Sequence, residues 1–290
     1  MTIFELVKVA LDELYQDCLS VYGDGADRKI IESMSYLTNV YRNLNDEGRE
    51  SVNYRNPVNR FAYVYKYVAA HGDYIVQVLH ELQRELERQG SRSIFTDKKL
   101  RVSCIGGGPG SDIIAVLKYL SERAEKEPVE KVICYLLDRE QAWADVWTEL
   151  DELFRVNVAL NANFQPLDVT NPESWRLQRK FLEADLFTMS YFVSEVMSRN
   201  GVSDFWKYLF DHAKVGSLFL YIDNGSDIFN SYFDNLCGDA RLTPIIKQDN
   251  YRIIPRFSEQ ASELAEYQDK FGHNPRIQGH VSYRVLQKKF

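Results

Sequence analysis

The sequence contains few cysteines, and no two of them have the spacing of metal ligands. The four residues, Cys18, Cys104, Cys134 and Cys237, form no C-x-x-C pair and lie far apart in the chain. Zinc sites and disulfide frameworks have closely paired or densely repeated cysteines, so neither is predicted. We expect reduced thiols. Cys104 and Cys134 fall in apolar runs, where such a thiol packs as a small hydrophobic group.

Long apolar runs are also lacking. No run approaches the roughly 18 residues of a membrane-spanning helix. The N-terminus carries Glu5, Asp12 and Glu13 in place of the basic and apolar regions of a secretion signal. We therefore expect no membrane span and a cytoplasmic protein.

Positive charge is in deficit. The 35 lysines and arginines are outnumbered by 42 aspartates and glutamates, which leaves a net charge of −7. Such a field repels a phosphate backbone, so nucleic acid is a possible partner that the charge does not favour. Two short basic segments, Lys98 to Arg101 and Arg176 to Lys180, are the candidates for a local basic patch.

The apolar pattern divides the chain into two parts. Residues 1–95 show helical spacing, as in Ile3, Leu6, Val7 and Ala10, and a later helical stretch from Phe61 to Leu86 contains a candidate interruption at Gly72 and Asp73. This part predicts an all-helical N-terminal region that forms a lid or contacts substrate. Charged residues end the stretch at Gly90, as at a solvent-facing helix terminus.

Residues 96–290 alternate strand-like apolar runs with helical patterns, which predicts an α/β fold with a mostly parallel sheet. The expected strands are Leu100 to Ile105, Lys131 to Leu137, Asn163 to Leu167, Ala184 to Ser190, Ser217 to Ile222, Thr243 to Lys247 and His280 to Leu286. The expected helices are Asp112 to Lys126, Gln141 to Val156, Glu173 to Leu182, Val202 to Ala213, Ile228 to Leu236 and Glu259 to Lys270. The last strands lack further helical crossovers, so antiparallel pairing is expected there.

The most informative segment is the first strand with the glycine-rich loop after it. Ile105 is followed by Gly106, Gly107, Gly108, Pro109 and Gly110, and a helix begins near Asp112. Glycines allow a sharp turn and let a ligand approach the backbone without Cβ atoms in the way. The loop predicts a nucleotide-type ligand; a tight turn without a ligand is the alternative.

The spacing of the glycines bears on which ligand binds. G-x-G-x-G through Gly110 is complete, whereas the dinucleotide pattern G-x-G-x-x-G needs a small residue at position 111, where Ser111 leaves an imperfect match. Pro109 removes one N–H that a pyrophosphate would use. No G-K-[ST] follows, which excludes a Walker-type loop.

A carboxylate, Asp138, ends the second predicted strand, at the sheet edge that carries the glycine loop. There it can accept hydrogen bonds from both hydroxyls of a ribose. The alternative is a surface acid that caps the next helix.

The glycine loop, Asp138 and Asp168 after the third strand together resemble the class I, Rossmann-like S-adenosylmethionine-dependent methyltransferases over roughly residues 99–290. The resemblance implies that Ile105 to Gly110 wrap the methionine part of the cofactor, that Asp138 holds the ribose, and that Asp168 with Val169 faces the adenine amino group. It also implies an antiparallel final strand. The candidate cofactor-binding residues are Gly106, Gly107, Gly108, Pro109, Gly110, Asp112, Asp138, Asp168, Val169 and Ser190.

Candidate catalytic residues follow the fourth strand and lie in the N-terminal region. Glu195 could act as a base or orient an amine, and Tyr191 lies beside it in sequence; Glu195 could equally be a solvent-facing acid in a first helical turn. Tyr67 or His71 is the candidate contact from the lid, with a partly exposed histidine as the alternative for His71. Asp223 is a candidate wall residue or a helix cap.

The sequence thus predicts an S-adenosylmethionine-dependent methyltransferase that needs no metal. Its acceptor, whether small molecule, protein or RNA base, and its oligomeric state are not predicted. The alternatives are an NAD(P)-dependent oxidoreductase and a non-catalytic S-adenosylmethionine-binding sensor.

Overall fold

The computed structural model describes residues 1–44, 51–153, 158–238 and 242–289. Its helices are α1 Ile3–Tyr22, α2 Ala26–Arg42, α3 Pro57–Tyr63, α4 Ala69–Gln89, α5 Ser111–Glu122, α6 Trp143–Leu153, α7 Pro172–Arg176, α8 Val193–Val196, α9 Val202–His212, α10 Asp227–Gly238 and α11 Ala265–Phe271. Its strands are β1 Lys99–Ile105, β2 Lys131–Asp138, β3 Ala159–Pro166, β4 Leu186–Ser190, β5 Leu218–Asn224, β6 Leu242–Ile253 and β7 Gly279–Lys288.

The N-terminal helices form where the apolar spacing predicts them. Helix α1 begins with a capping box in which the Thr2 hydroxyl accepts the Glu5 N–H at 3.0 Å and the Glu5 carboxylate accepts the Thr2 N–H at 2.6 Å. Its apolar face, from Ile3 to Leu14, is buried.

Helices α3 and α4 form one helical segment with a π-helical turn, Val64–Val68, between them. The expected interruption at Gly72 and Asp73 is wrong, because α4 runs through both residues to Gly90. A Cβ on Gly72 would lie 3.4 Å from the Ile3 side chain, an ordinary van der Waals contact, so packing does not require a glycine there. Gly90 ends the helix in the left-handed conformation, as expected.

The described strands form one sheet in the order β3-β2-β1-β4-β5-β7-β6. Strands β1 to β5 pair in parallel, while β7 is antiparallel to both β5 and β6. This topology confirms the predicted Rossmann-like fold with antiparallel final strands. The strand order reverses direction between β1 and β4, and ligands of open α/β sheets bind in the crevice at such a point.

Several boundaries differ from the predicted ones. Strand β3 starts earlier, at Ala159, because this edge strand alternates in exposure and has no continuous apolar run. The helix expected over Glu173 to Leu182 is instead α7 followed by a 3₁₀ turn, Lys180–Glu183; Leu177 between them is 86% exposed and offers no apolar stripe. The helix expected over Gln141 to Val156 is described only to Leu153, and residues 154–156 lie outside the described residues.

Each face of the sheet has its own hydrophobic core. One core joins α1, α2 and α4 to α5 and one sheet face, and the other lies under α9 with Trp175 and Trp206 at its centre. The four cysteines are free and buried. The N-terminal helices are thus held against the sheet by continuous apolar packing.

Two further observations concern the described residues alone. None of their helices has both the length and the apolar character needed to cross a membrane. They contain no cluster of three histidine, cysteine or acidic side chains suited to a metal ion.

Candidate active site

The glycine loop connects β1 to α5 through backbone conformations that favour glycine. Gly106, Gly108 and Gly110 have φ angles of 67°, 43° and 89°. The N–H groups of Gly106 and Gly107 both donate to the Leu137 carbonyl, at 2.7 and 3.1 Å, which ties the loop to the end of β2.

The expectation that these glycines all make room for a ligand is only partly met. A Cβ on Gly106 would lie 2.0 Å from the Phe192 ring, and one on Gly110 would lie 2.4 Å from the Trp147 ring. Close packing against aromatic side chains therefore requires both glycines. A Cβ on Gly107 would meet Cys104 at 2.9 Å, inside the sheet.

Gly108 differs from the other three. A Cβ there would lie 3.8 Å from Asp138 Oδ2 and 3.7 Å from Trp143 Nε1, with no closer contact. The residue faces a cleft of about 910 Å³ that Gly106, Gly108 and Pro109 line together with Asp138. Gly107 and Gly110 do not line this cleft.

Asp138 lies directly beside the loop. Its Oδ2 accepts the Gly108 N–H at 3.0 Å and its Oδ1 accepts the Glu140 N–H at 2.9 Å. Burial raises the pKa of Asp138 to about 6, although both hydrogen bonds act to lower it. Each carboxylate oxygen has a second lone pair, so both can still accept a ligand hydroxyl. The alternative, an acid that only caps the next helix, accounts for the contact with Glu140 but not for the contact with Gly108.

Asp168 and Val169 line the cleft next to Asp138. The Leu167 N–H donates to the Asp138 carbonyl at 2.9 Å, which holds the ends of β2 and β3 together. Asp168 Oδ1 accepts the N–H and the hydroxyl of Thr170, at 2.9 and 2.6 Å. Among the described residues no hydrogen bond reaches Asp168 Oδ2, which leaves this oxygen for a ligand.

Asp112 is buried beneath the cleft and does not line it. Its carboxylate accepts hydrogen bonds from Thr188 at 2.5 Å and from the hydroxyls of Ser190 and Ser111. Burial raises its pKa, while these donors act to lower it. Asp112 therefore positions the end of β4, and Ser190 is the residue of this group that lines the cleft.

Tyr191 and Glu195 extend the cleft beyond Ser190. Tyr191 has a φ of 53°, a left-handed conformation that is uncommon for a residue with a side chain. Such outliers often mark functional positions, because surrounding contacts must hold them in place. Asp223, fully buried, accepts the Ser194 N–H at 2.9 Å and thus caps the turn that carries Glu195; it is not a wall of the cleft.

His71 lies behind Tyr191, where it lines a second cavity of about 290 Å³ and not the main cleft. It is 7% exposed, so the alternative of a partly exposed histidine is wrong. Burial first and the charge of Arg276 second hold the pKa of His71 well below its usual value, and the ring is neutral at pH 7. Tyr67 lines the same second cavity.

The N-terminal region contributes Tyr54 and Tyr63 to the main cleft, in place of the expected Tyr67 or His71. Both rings pack on Trp143, with centroids 4.6 and 5.5 Å away. Arg55 and Glu140 form an ion pair of 3.4 Å between this region and the loop after β2. Sequence reasoning missed Trp143; its only signal was an aromatic residue at a helix start shortly after Asp138.

Comparison with known proteins identifies the family of the chain. Residues 53–232, more than half of the chain, match the model of a family described as "Putative SAM-dependent methyltransferase". A search among curated proteins finds no match.

Solved structures match the chain only at low identity and with TM-scores below 0.5. A SAM-dependent methyltransferase from Methanosarcina mazei is 11% identical with a TM-score of 0.44, and the match covers 68% of this chain and 95% of that one. The YcgJ protein from Bacillus subtilis is 15% identical with a TM-score of 0.41, covering 73% and 99%. At these scores neither likeness bears on what the chain does. The family match, with the predicted fold in place, gives the assignment: the chain belongs to this family of S-adenosylmethionine-dependent methyltransferases.

Proposed function

We propose that the main cleft binds S-adenosylmethionine with Asp138 accepting both ribose hydroxyls. In this arrangement Gly106, Gly108 and Pro109 lie along the methionine part, and Asp168 Oδ2 accepts the adenine amino group beside Val169. The observation that carries the proposal is the Asp138 carboxylate, held by the Gly108 N–H at 3.0 Å on the wall of the cleft.

The backbone of the loop supports a cofactor without phosphates. Every glycine N–H in it already donates: Gly106 and Gly107 to the Leu137 carbonyl, Gly108 to Asp138, and Gly110 to the Gly107 carbonyl at 2.8 Å. Pro109 has no N–H. No loop N–H is therefore left for the pyrophosphate of a dinucleotide, which a glycine loop would bind through such groups.

The charge of the cleft supports the same choice. Its described lining contains four acids, Asp138, Glu140, Asp168 and Glu195, against two arginines, Arg139 and Arg199. An excess of carboxylates favours a cationic sulfonium and opposes a pyrophosphate. The NAD(P)-dependent oxidoreductase is thus disfavoured by charge as well as by hydrogen bonding.

Catalysis in this proposal is mainly positioning. Bound S-adenosylmethionine supplies an electrophilic methyl group on its sulfonium. An acceptor atom aligned behind that methyl, about 3 to 3.5 Å away, gains much of its rate from orientation alone. Tyr191 and Glu195 line the part of the cleft past Ser190, so we assign them to orienting the acceptor, with the neutral ring of His71 packed behind Tyr191 to hold it in position.

Residues 1–95 act in this proposal as a lid and acceptor-contacting region on a catalytic part formed by residues 96–290. Tyr54 and Tyr63 cover the cleft from the N-terminal side, and the Ser51 hydroxyl accepts a hydrogen bond from Arg199 at 2.5 Å. The acceptor itself, whether small molecule, protein or RNA, enters between the two parts; the net charge disfavours RNA.

Two measurements on the full-length chain test the proposal. Calorimetric titration should give micromolar affinity for S-adenosylhomocysteine and none for NADH; binding of NADH alone would reject the methyltransferase site. The full-length chain, incubated with a cell extract and methyl-labelled S-adenosylmethionine, should then transfer label to a component of the extract. A Glu195→Gln variant should transfer less label. Cofactor binding without any transfer would favour the non-catalytic sensor.

A further inference from the structure

A ring-lined cavity lies directly beside the cofactor cleft. The cleft and this cavity of about 290 Å³ share Tyr63 and Tyr191 as a common wall. The remaining aromatic rings of the cavity are those of Tyr41, Tyr67 and His71. The rings approach so closely that only about one water molecule fits between them, so the cavity is a narrow aromatic gap.

The cavity continues outward into a groove of about 1190 Å³. Tyr41, Leu44, Tyr67, Asn224 and Arg276 line both spaces. The cavity therefore lies between the cleft and the groove and shares lining residues with both.

The groove is cationic in an acidic protein. Three cations line it, Arg42, Lys66 and Arg276, and no acid does so among the described residues. None of these three side chains has a hydrogen bond or an ion pair with any described residue. The chain as a whole has a net charge of −7, so this concentration of positive charge, which no described acid pairs with, is local.

Among the three cations, Lys66 gives the strongest indication of an anion site. It is 9% exposed, lies in the π-helical turn, and its carbonyl accepts the Arg276 N–H at 2.9 Å. Burial first and the Arg276 charge second lower the pKa of Lys66. Two cations that lie together with no carboxylate from the described part of the chain repel each other, and a bound anion removes that cost.

Local contacts hold the pair in place. The Tyr65 hydroxyl donates to the His273 carbonyl at 2.5 Å, which anchors the loop carrying Arg276 to the helix carrying Lys66. The cation pair is thus set by the fold.

We infer that the methyl acceptor is a small anionic molecule that binds in the groove, with its carboxylate or phosphate on Lys66 and Arg276 and its methyl-accepting part directed toward the aromatic gap beside Tyr191 and His71. This inference rests on the proposed function. The narrow cavity and the net negative charge favour a small molecule over a nucleic acid.

A matched pair of probes tests the inference. 4-Phenylbutyrate and 4-phenylbutyramide have the same ring and stem, and only the first is charged. Ligand-observed NMR titrations on the full-length chain, with and without S-adenosylhomocysteine, should give at least about tenfold tighter binding of the carboxylate, the value expected for charge-assisted hydrogen bonds. Arg276→Gln should weaken the carboxylate about tenfold and leave the amide unchanged. Lys66→Gln should act in the same direction.

The controls separate folding from recognition. Lys207→Gln removes an exposed cation outside both spaces and should change nothing. Affinity for S-adenosylhomocysteine reports that Arg276→Gln is folded, since Arg276 does not line the cleft.

Two results would overturn the inference. One is a carboxylate that binds no tighter than the amide, or that binds Arg276→Gln as well as the unmodified chain. The other is a labelled single-stranded RNA that binds the unmodified chain and is lost in Arg276→Gln, which would assign the groove to nucleic acid. Failure of the unmodified chain to bind S-adenosylhomocysteine would instead refute the proposed function. The two failures can be told apart because the probes are also titrated in the absence of S-adenosylhomocysteine.

Discussion

The imidazole of His71 and the ring of Tyr191 stack face to face, with centroids 3.6 Å apart and an angle of 9° between their planes. The stack joins the N-terminal helix α4 to the segment after β4, where Tyr191 has its left-handed backbone. The contact couples the N-terminal helices to the end of the cleft at which we place methyl transfer.

The burial of His71 makes stability depend on pH. The folded state holds the pKa of His71 well below its usual value, so only the unfolded chain takes up this proton as the pH falls below about 6.5. Stability from neutral His71 is therefore full at pH 7 and is lost on acidification, by at most about 2 kcal/mol between pH 7 and pH 5.

His71→Phe should keep a stacked ring and lose less free energy of unfolding between pH 7 and pH 5 than the unmodified chain. Urea unfolding at the two pH values measures the difference. His212→Gln, at an exposed histidine, is the matched control and should behave as the unmodified chain. An equal pH dependence in His71→Phe would show that His71 does not contribute.

A second prediction concerns the glycine loop. Gly90 and Gly110 both have positive φ, but a Cβ on Gly90 would meet nothing within 4 Å, whereas one on Gly110 would lie 2.4 Å from the Trp147 ring. Gly90→Ala should cost about 1 to 2 kcal/mol for backbone conformation alone. Gly110→Ala should cost about 1 to 3 kcal/mol more from the forced repacking. Denaturant unfolding of both variants provides the comparison, and equal losses would contradict the packing role of Gly110.

A third prediction follows from the raised pKa of Asp138. Ribose hydroxyls donate best to the ionised carboxylate, so affinity for S-adenosylhomocysteine should rise as the pH increases through about 6 and fall below it. Asp138→Asn should bind more weakly at pH 7 and lose most of this pH dependence. Calorimetric titrations between pH 5 and pH 8 measure it. A variant that keeps the full dependence would assign the titration to another group, such as Asp223, whose pKa burial also raises to about 6.

The sheet and the position of Asp138 were predicted well from the sequence because both depend on local sequence pattern. A buried strand followed by glycines, with Asp138 ending the next strand, places both at one sheet edge in any parallel α/β fold. Strand β3 was predicted four residues too short at its start, since an edge strand has no continuous apolar run to reveal it.

The N-terminal contacts were less predictable. Tyr63 and Tyr67 lie four residues apart on one helical segment. The rotation of that segment about its axis decides which of the two side chains faces the cleft. The π-helical turn Val64–Val68 adds to the difficulty, because its wider turn changes the direction of every later side chain, including His71. The glycine loop has a similar limit: the rings of Phe192 and Trp147 that crowd it come from distant parts of the sequence.

The central claim is that Asp138 holds the sugar of the cofactor, and calorimetric titration of S-adenosylhomocysteine into Asp138→Ala tests it most directly. Asp145→Ala, at an exposed acid on α6, is the matched control and should bind as the unmodified chain does. Loss of the carboxylate should weaken binding by about 1 to 3 kcal/mol, roughly 5- to 150-fold, because the ribose hydroxyls lose their acceptor. Unchanged affinity in Asp138→Ala would contradict the account.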